Sequence, residues 1–156
     1  MITIELTASE LHQAALVGST RQFEASLRNR VNAHGMSDNP WQGLANHICG
    51  ACGEIAVAKL LGVYWGAEVN SFKGPDLNGS SIQVRTRREH HRELIVRTGD
   101  NDTDRFYLVT GLAPSLCVRG WILGRNAKRP EWFRGHGNRE PAYFVPQSEL
   151  LEDKSL

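Results

Sequence analysis

The stretch Gly74-Pro75-Asp76-Leu77-Asn78-Gly79-Ser80-Ser81-Ile82-Gln83-Val84-Arg85-Thr86 decides how this chain of 156 residues is read. An Asn-Gly pair between runs of alternating apolar and polar residues is the signature of a β-hairpin. The reading places strands over 72–77 and 81–86, with the turn at Asn78-Gly79. Period two then puts Gln83 and Arg85 on one face and Ile82, Val84 and Thr86 on the other. With that turn, Asp76 opposes Ser81 and lies diagonal to Gln83. A carboxylate, an amide and a cation therefore meet on adjacent strands.

Upstream the apolar period is helical. Thr7 and Glu10 form a capping box, and Leu11, Ala14, Ala15, Phe23, Leu27 and Val31 predict a helix over 8–31. Residues 32–38 break it at Gly35. Asp38-Asn39-Pro40 opens a second helix that runs to Leu61 and stops at Gly62. Downstream, strands are predicted over 63–69, 93–98, 105–111, 117–123 and 143–145. Residues 128–133 read as one short helical turn and 135–139 as a loop. The class is α/β in the broad sense, an α+β domain: two N-terminal helices packed on one face of a mostly hairpin-connected sheet. One domain is expected over 1–156, with an N-terminal helical extension at about 1–37 and a core at about 38–150.

Composition narrows the chemistry. Hydrophobic residues make up 40% and charged residues 22%, as in a globular protein rather than a disordered one. Met1 to Leu6 carries Glu5 and no basic residue, so no secretory signal is expected. No apolar run is read as long enough to span a bilayer. Three cysteines do not make a disulfide framework, which points to a reducing, cytoplasmic setting. The net charge of +1 hides an asymmetry: residues 85–139 hold twelve Lys/Arg against six Asp/Glu, and eleven of the twelve are arginine. Arginine forks match phosphate bidentately, which favours an anionic partner. A solvated, salt-bridged face is the plainer explanation of such a run.

Glu54 joins the hairpin residues from the second helix. Gly50, Ala51 and Ala58 lie three or four residues from it. Small side chains there let the helix approach a sheet and leave the carboxylate free to point at it. Glu54, Pro75-Asp76 and Gln83-Val84-Arg85, in that order, resemble the PD-(D/E)XK nuclease superfamily, over roughly residues 44–124. Gly53-Glu54-Ile55-Ala56, Leu94-Ile95-Val96, Tyr107-Leu108-Val109-Thr110-Gly111, Gly120-Trp121-Ile122 and Pro141-Ala142-Tyr143-Phe144-Val145-Pro146 are similar to small members found in phages and prophages.

The resemblance implies a restriction-endonuclease-like central mixed β-sheet and a divalent-metal-dependent DNA endonuclease. It implies Mg²⁺ or Mn²⁺ held by hard oxygen ligands at Glu54, Asp76 and Gln83. Gln83 and Arg85 depart from the acidic residue and lysine of the pattern. Gln83 offers a neutral carbonyl oxygen. Arg85 stays protonated, so it cannot act as a base, but it can bind the scissile phosphate. Arg87, Arg88, Arg92, Arg125, Lys128 and Arg129 would line the cleft and contact the DNA phosphate backbone.

Other readings stand beside this one. Asp76 can simply fix the turn, Glu54 can pair with a surface cation, and Gln83 and Arg85 can be the polar face of a strand. The changed motif also suits an inactive nuclease-fold protein that binds nucleic acid or a protein partner, such as a phage accessory or host-counteracting factor. A third reading is a homodimeric structural protein joined through the N-terminal helix. Cys49 and Cys52 on one helix side lack an evident third and fourth ligand for zinc, so packing is the expectation. His90-His91 is expected to be exposed. No phosphate-binding Gly loop, Gly-x-Ser-x-Gly or His-Glu-x-x-His occurs, so nucleotide hydrolysis and serine or zinc hydrolase chemistry have little support.

Overall fold

The computed structural model describes residues 1–27, 40–69, 76, 77, 80–137 and 139–153. The expected loop at 32–38, the cap at Asp38-Asn39, the strand over 72–75 and the turn at Asn78-Gly79 lie outside the described residues.

The described chain is mixed α+β, with three helices and two sheets. The helices are α1 (Ala8–Leu27), α2 (Pro40–Leu61) and the short α3 (Gly124–Ala127). The strands are β1 (Ile2–Glu5), β2 (Ile82–Arg87), β3 (Leu94–Arg97), β4 (Arg105–Leu112), β5 (Ser115–Leu123), β6 (Phe133–His136) and β7 (Arg139–Val145). The larger sheet has the order β1-β5-β4-β2 and the smaller one β3-β7-β6. β2 runs parallel to β4, while β1–β5 and β4–β5 are antiparallel.

The capping box forms as read. The Thr7 backbone N–H donates to Glu10 Oε2 at 2.7 Å, and the Glu10 N–H donates to Thr7 Oγ1 at 3.3 Å. The α2 helix packs on one face of the larger sheet, and α1 packs on α2 rather than beside it on the sheet as expected. Ala14, Val17, Ala51, Ile55 and Val57 meet Ile82, Val84, Tyr107, Val109 and Val118 in that core. The opposite face is covered by the smaller sheet, which the sequence did not suggest. Phe106, Leu108 and Ile122 pack there on Leu94, Val96, Val145 and Trp132. As a result β4 is buried on both sides, with Phe106, Tyr107, Leu108, Val109 and Thr110 all at 0% exposure.

Several expectations are corrected. β1 was not foreseen, although Ile2 and Ile4 alternate with Thr3 and Glu5; the strand pairs with β5 and turns both isoleucines to the core. Residues 63–69 are not a strand. After the helix ends, Gly62 takes φ 64° and Ala67 φ 52°, and the segment folds back to bury Trp65 against α2. Within the predicted loop at 135–139, Gly135 and His136 belong instead to β6 and Arg139 to β7. The turn over 128–133 resolves into a 3-10 turn at Pro130–Trp132 behind α3. Trp41–Leu61 is long and apolar enough, by length and composition, to cross a membrane, contrary to the sequence reading; half of that window is buried inside the fold.

The close helix approach comes from glycines other than the expected Gly50, where an added Cβ would meet nothing within 4 Å. At Gly53 it would lie 1.9 Å from Thr86 Oγ1, and at Gly18 it would lie 2.6 Å from the Ile48 main chain. Main chain cannot give way as a rotamer can. Gly18→Ala is therefore expected to lower the unfolding free energy in urea by about 1–3 kcal/mol, despite the better helix propensity of alanine. An unchanged midpoint would show that α1 and α2 separate at no cost.

Candidate functional site

Glu54 lies on the buried face of α2, at 5% exposure. It does not point freely at the sheet as expected. Arg21 of α1 donates Nη1 to Oε1 at 2.6 Å and Nη2 to Oε2 at 3.0 Å. The Trp65 indole N–H donates to Oε2 at 2.9 Å. The same guanidinium donates to the Glu68 carbonyl, so one fork fastens α1, α2 and the loop after α2. Both Glu54 oxygens are therefore engaged.

Asp76 approaches the edge of β2. Its N–H donates to the Ile82 carbonyl at 2.9 Å, and its Oδ2 accepts the Val84 N–H at 2.6 Å. Burial first, and the nearby Glu54 carboxylate second, push its carboxyl up to about 6, against the pull of the Val84 N–H, Arg85 and Arg21.

The alternation in β2 is as read. Ile82 and Val84 are buried toward the helices, with Thr86 against Gly53. Gln83 and Arg85 take the other face. Arg85 Nη1 lies 3.8 Å from Asp76 Oδ2, 3.5 Å from Gln83 Oε1 and 3.4 Å from the Val84 carbonyl oxygen. A carboxylate, an amide carbonyl and a main-chain carbonyl thus converge on one guanidinium nitrogen. Arg85 Nη2 reaches Asp100 Oδ2 at 3.2 Å, and its Cζ stands 5.3 Å from the centre of the Phe106 ring. Gln83 Nε2 donates to the buried Asp104 at 3.2 Å.

Among the described residues, no three His, Cys, Asp or Glu side chains form a metal-ligand group. The donor set around Arg85 Nη1 is of a different make-up. Its three oxygens are hard ligands that suit Mg²⁺ or Mn²⁺, and a cationic nitrogen already sits at their focus. Asp76 and Gln83 each place one oxygen in that set, and the Val84 carbonyl joins them. Glu54 stands outside it as a neighbouring charge.

The basic residues divide. Lys128 Nζ donates to the Asp100 carbonyl and to Asp102 Oδ1, both at 2.6 Å, which brings it close to Arg85. Arg87 is lowered from the ordinary guanidinium value by burial and then by Arg92, with Arg139 adding to it. Arg97 of β3 is lowered by burial and then by Arg85. Each thus has another cation nearby, with Glu89 and Glu93 beside Arg87 and Asp100 and Glu140 beside Arg97 pulling the other way. Arg92 pairs with Glu89 at 3.1 Å. Arg88 and Arg125 are exposed. Arg129 lies over Trp132 and pairs with Glu149 at 3.8 Å, so these three are not drawn into the Asp76 cluster by any of those contacts.

Cys52 is pushed up to about 11 by burial and the neighbouring Cys49, which suits a packing thiol. His90 is exposed as expected, and its Nδ1 lies 3.1 Å from Thr110 Oγ1.

Sequence reasoning missed Arg21, Trp65, Arg97 and Asp100. Arg21 had a signal: it continues the buried stripe Ala14, Val17, Gly18, and an arginine on such a stripe needs a buried acceptor. No family model, curated protein or solved structure matches the chain.

Two outcomes follow. Arg21→Met strands a buried charge on Glu54 and should cost about 3–5 kcal/mol of stability in urea. The double variant Arg21→Met/Glu54→Leu should recover most of it, and additive losses would show that the pair is not coupled. The second concerns pH. Folded Asp76 holds its proton more tightly than the unfolded chain, so it favours folding below about pH 4, and that contribution is lost as pH rises to about 6. It is worth at most about 3 kcal/mol. Urea midpoints measured from pH 4 to 7 should fall across this window relative to Asp76→Asn; parallel curves would refute the assignment.

Proposed function

We propose that this chain is a DNA phosphodiesterase of phage or mobile-element type, built on a restriction-endonuclease-like core and dependent on Mg²⁺ or Mn²⁺. The observation that carries the reading is the convergence of Asp76 Oδ2, Gln83 Oε1 and the Val84 carbonyl on one point, at 3.4–3.8 Å from Arg85 Nη1. Those are the oxygens that would hold the ion. When bound, it would polarise a water and stabilise charge on the phosphate.

The chain's own residues divide the remaining work. Asp76 is fixed against the edge of β2 by two hydrogen bonds, one through its N–H and one through Oδ2. Gln83 is oriented by donating its amide to Asp104, so its carbonyl faces Arg85. Arg85 cannot accept a proton at any working pH, so its part is to bind a phosphate oxygen. Burial first, and then a neighbouring arginine, disfavours the charged form of Arg87 and of Arg97 against the pull of Glu89 and Asp100, and a polyanion's phosphates would favour both charges. Contacts of this kind hold the backbone and read no bases.

A second reading keeps the same DNA-binding face without cleavage. It is favoured by the commitment of Glu54 to Arg21 and Trp65, which leaves a single carboxylate in the oxygen set.

Supercoiled and branched DNA, incubated with Mg²⁺ or Mn²⁺, separates the two. The first reading expects metal-dependent cutting that Asp76→Ala abolishes. Salt-sensitive binding without cutting by either protein would support the second. For both, replacing Arg87 and Arg97 together by Ala should lower the slope of log affinity against log salt by about 2. Neither cutting nor binding would remove nucleic acid from the proposal.

A further inference from the structure

The oxygen set at the edge of β2 already has a cation, and it belongs to the chain. The three distances from Arg85 Nη1, 3.8, 3.5 and 3.4 Å, are long beside the 2.6 Å of the Asp76–Val84 hydrogen bond. The guanidinium is therefore held there by two long hydrogen bonds and one long ion pair. Its other end rests on Asp100, at 3.4 Å from Oδ1 and 3.2 Å from Oδ2. Asp100 is itself fixed: its Oδ2 accepts the Arg97 N–H at 2.8 Å, and its carbonyl accepts Lys128 Nζ at 2.6 Å. Its Cζ also stands 5.3 Å from the centre of the Phe106 ring, a cation–π contact on the same side chain.

A divalent ion and a guanidinium cannot share that focus, because like charges a few ångströms apart repel strongly in a partly buried site. A lysine at this position would have a second way out, by losing its proton. Arginine has none, so it must move. We propose that Arg85 is the resident counter-cation of the Asp76–Gln83–Val84 oxygen set and that a divalent ion binds only as Arg85 withdraws fully onto Asp100. This rests on the reading of those oxygens as a cation site and assigns its regulation to one side chain.

The test is Mn²⁺ binding by the full chain, followed by the electron paramagnetic resonance of the free ion, with no activity required. Arg85→Gln removes the competitor and should bind Mn²⁺ at least about tenfold tighter than wild type. Asp100→Asn removes the second berth while keeping an acceptor for the Arg97 N–H, and it should bind Mn²⁺ more weakly than wild type. This second variant keeps the proposal falsifiable if Arg85→Gln does not fold. Tightening that Asp76→Asn abolishes in the Arg85→Gln background would place the ion on these oxygens.

Wild type that binds Mn²⁺ through Asp76, with Arg85→Gln no tighter, would overturn the counter-cation while leaving the cation site intact. Unchanged affinity in Asp100→Asn would overturn the withdrawal onto Asp100. No binding by wild type or by a folded Arg85→Gln would overturn the cation site and this inference together.

Discussion

The bidentate pair between Arg21 and Glu54 is the contact on which the rest of the arrangement depends. It lies between two helices, at 14% and 6% side-chain exposure, and the Trp65 indole completes the shell of the carboxylate. Two charges taken out of water are tolerated only when geometry and hydrogen bonding are this complete. The pair does more than join α1 to α2. It keeps a negative charge next to Asp76, and through Glu68 and Trp65 it draws the loop after α2 back over the helix. For that reason α1 is part of the site and not an appendage to it.

The two carboxylates consequently have different work. Glu54 is saturated by donors and acts through its charge. Asp76 has one oxygen on a main-chain N–H and faces a guanidinium at longer range. Burial first, and the neighbouring like charge second, raise its proton affinity. Arg85 lies within ion-pair distance of it while sharing itself with Asp100.

The sequence made much of this legible, and the limits are instructive. Both long helices, the capping box and the alternation of Ile82, Gln83, Val84 and Arg85 followed from periodicity and cap chemistry, because those are local properties. The parallel pairing of β2 with β4 and the second sheet were not legible. They depend on which apolar face meets which, and β4 reads as one apolar run because both its faces are covered. Residues 63–69 have the alternation of a strand, yet Trp65 gains more from burial on α2 and a bond to Glu54 than from a ladder. In the site, Asp76, Gln83 and Arg85 were identified by spacing. Their orienting partners Asp100 and Asp104 lie in a polar turn, where an aspartate has many ordinary uses.

The most instructive omission is the Val84 main chain. Among the described residues β2 pairs as a strand along one side only, with β4. Asp76 takes the Val84 N–H and returns its own N–H to Ile82. The Val84 carbonyl, on the same residue, faces Arg85. On this edge one aspartate thus meets the backbone of two alternate residues, Ile82 and Val84. No pattern of side chains records that, since residue 84 contributes through its backbone while its valine side chain is buried in the helix-side core. Substituting another β-branched residue there would leave the donor in place. The site therefore depends on Val84 for the register of the strand, and on Asp76, Gln83 and Arg85 for its chemistry.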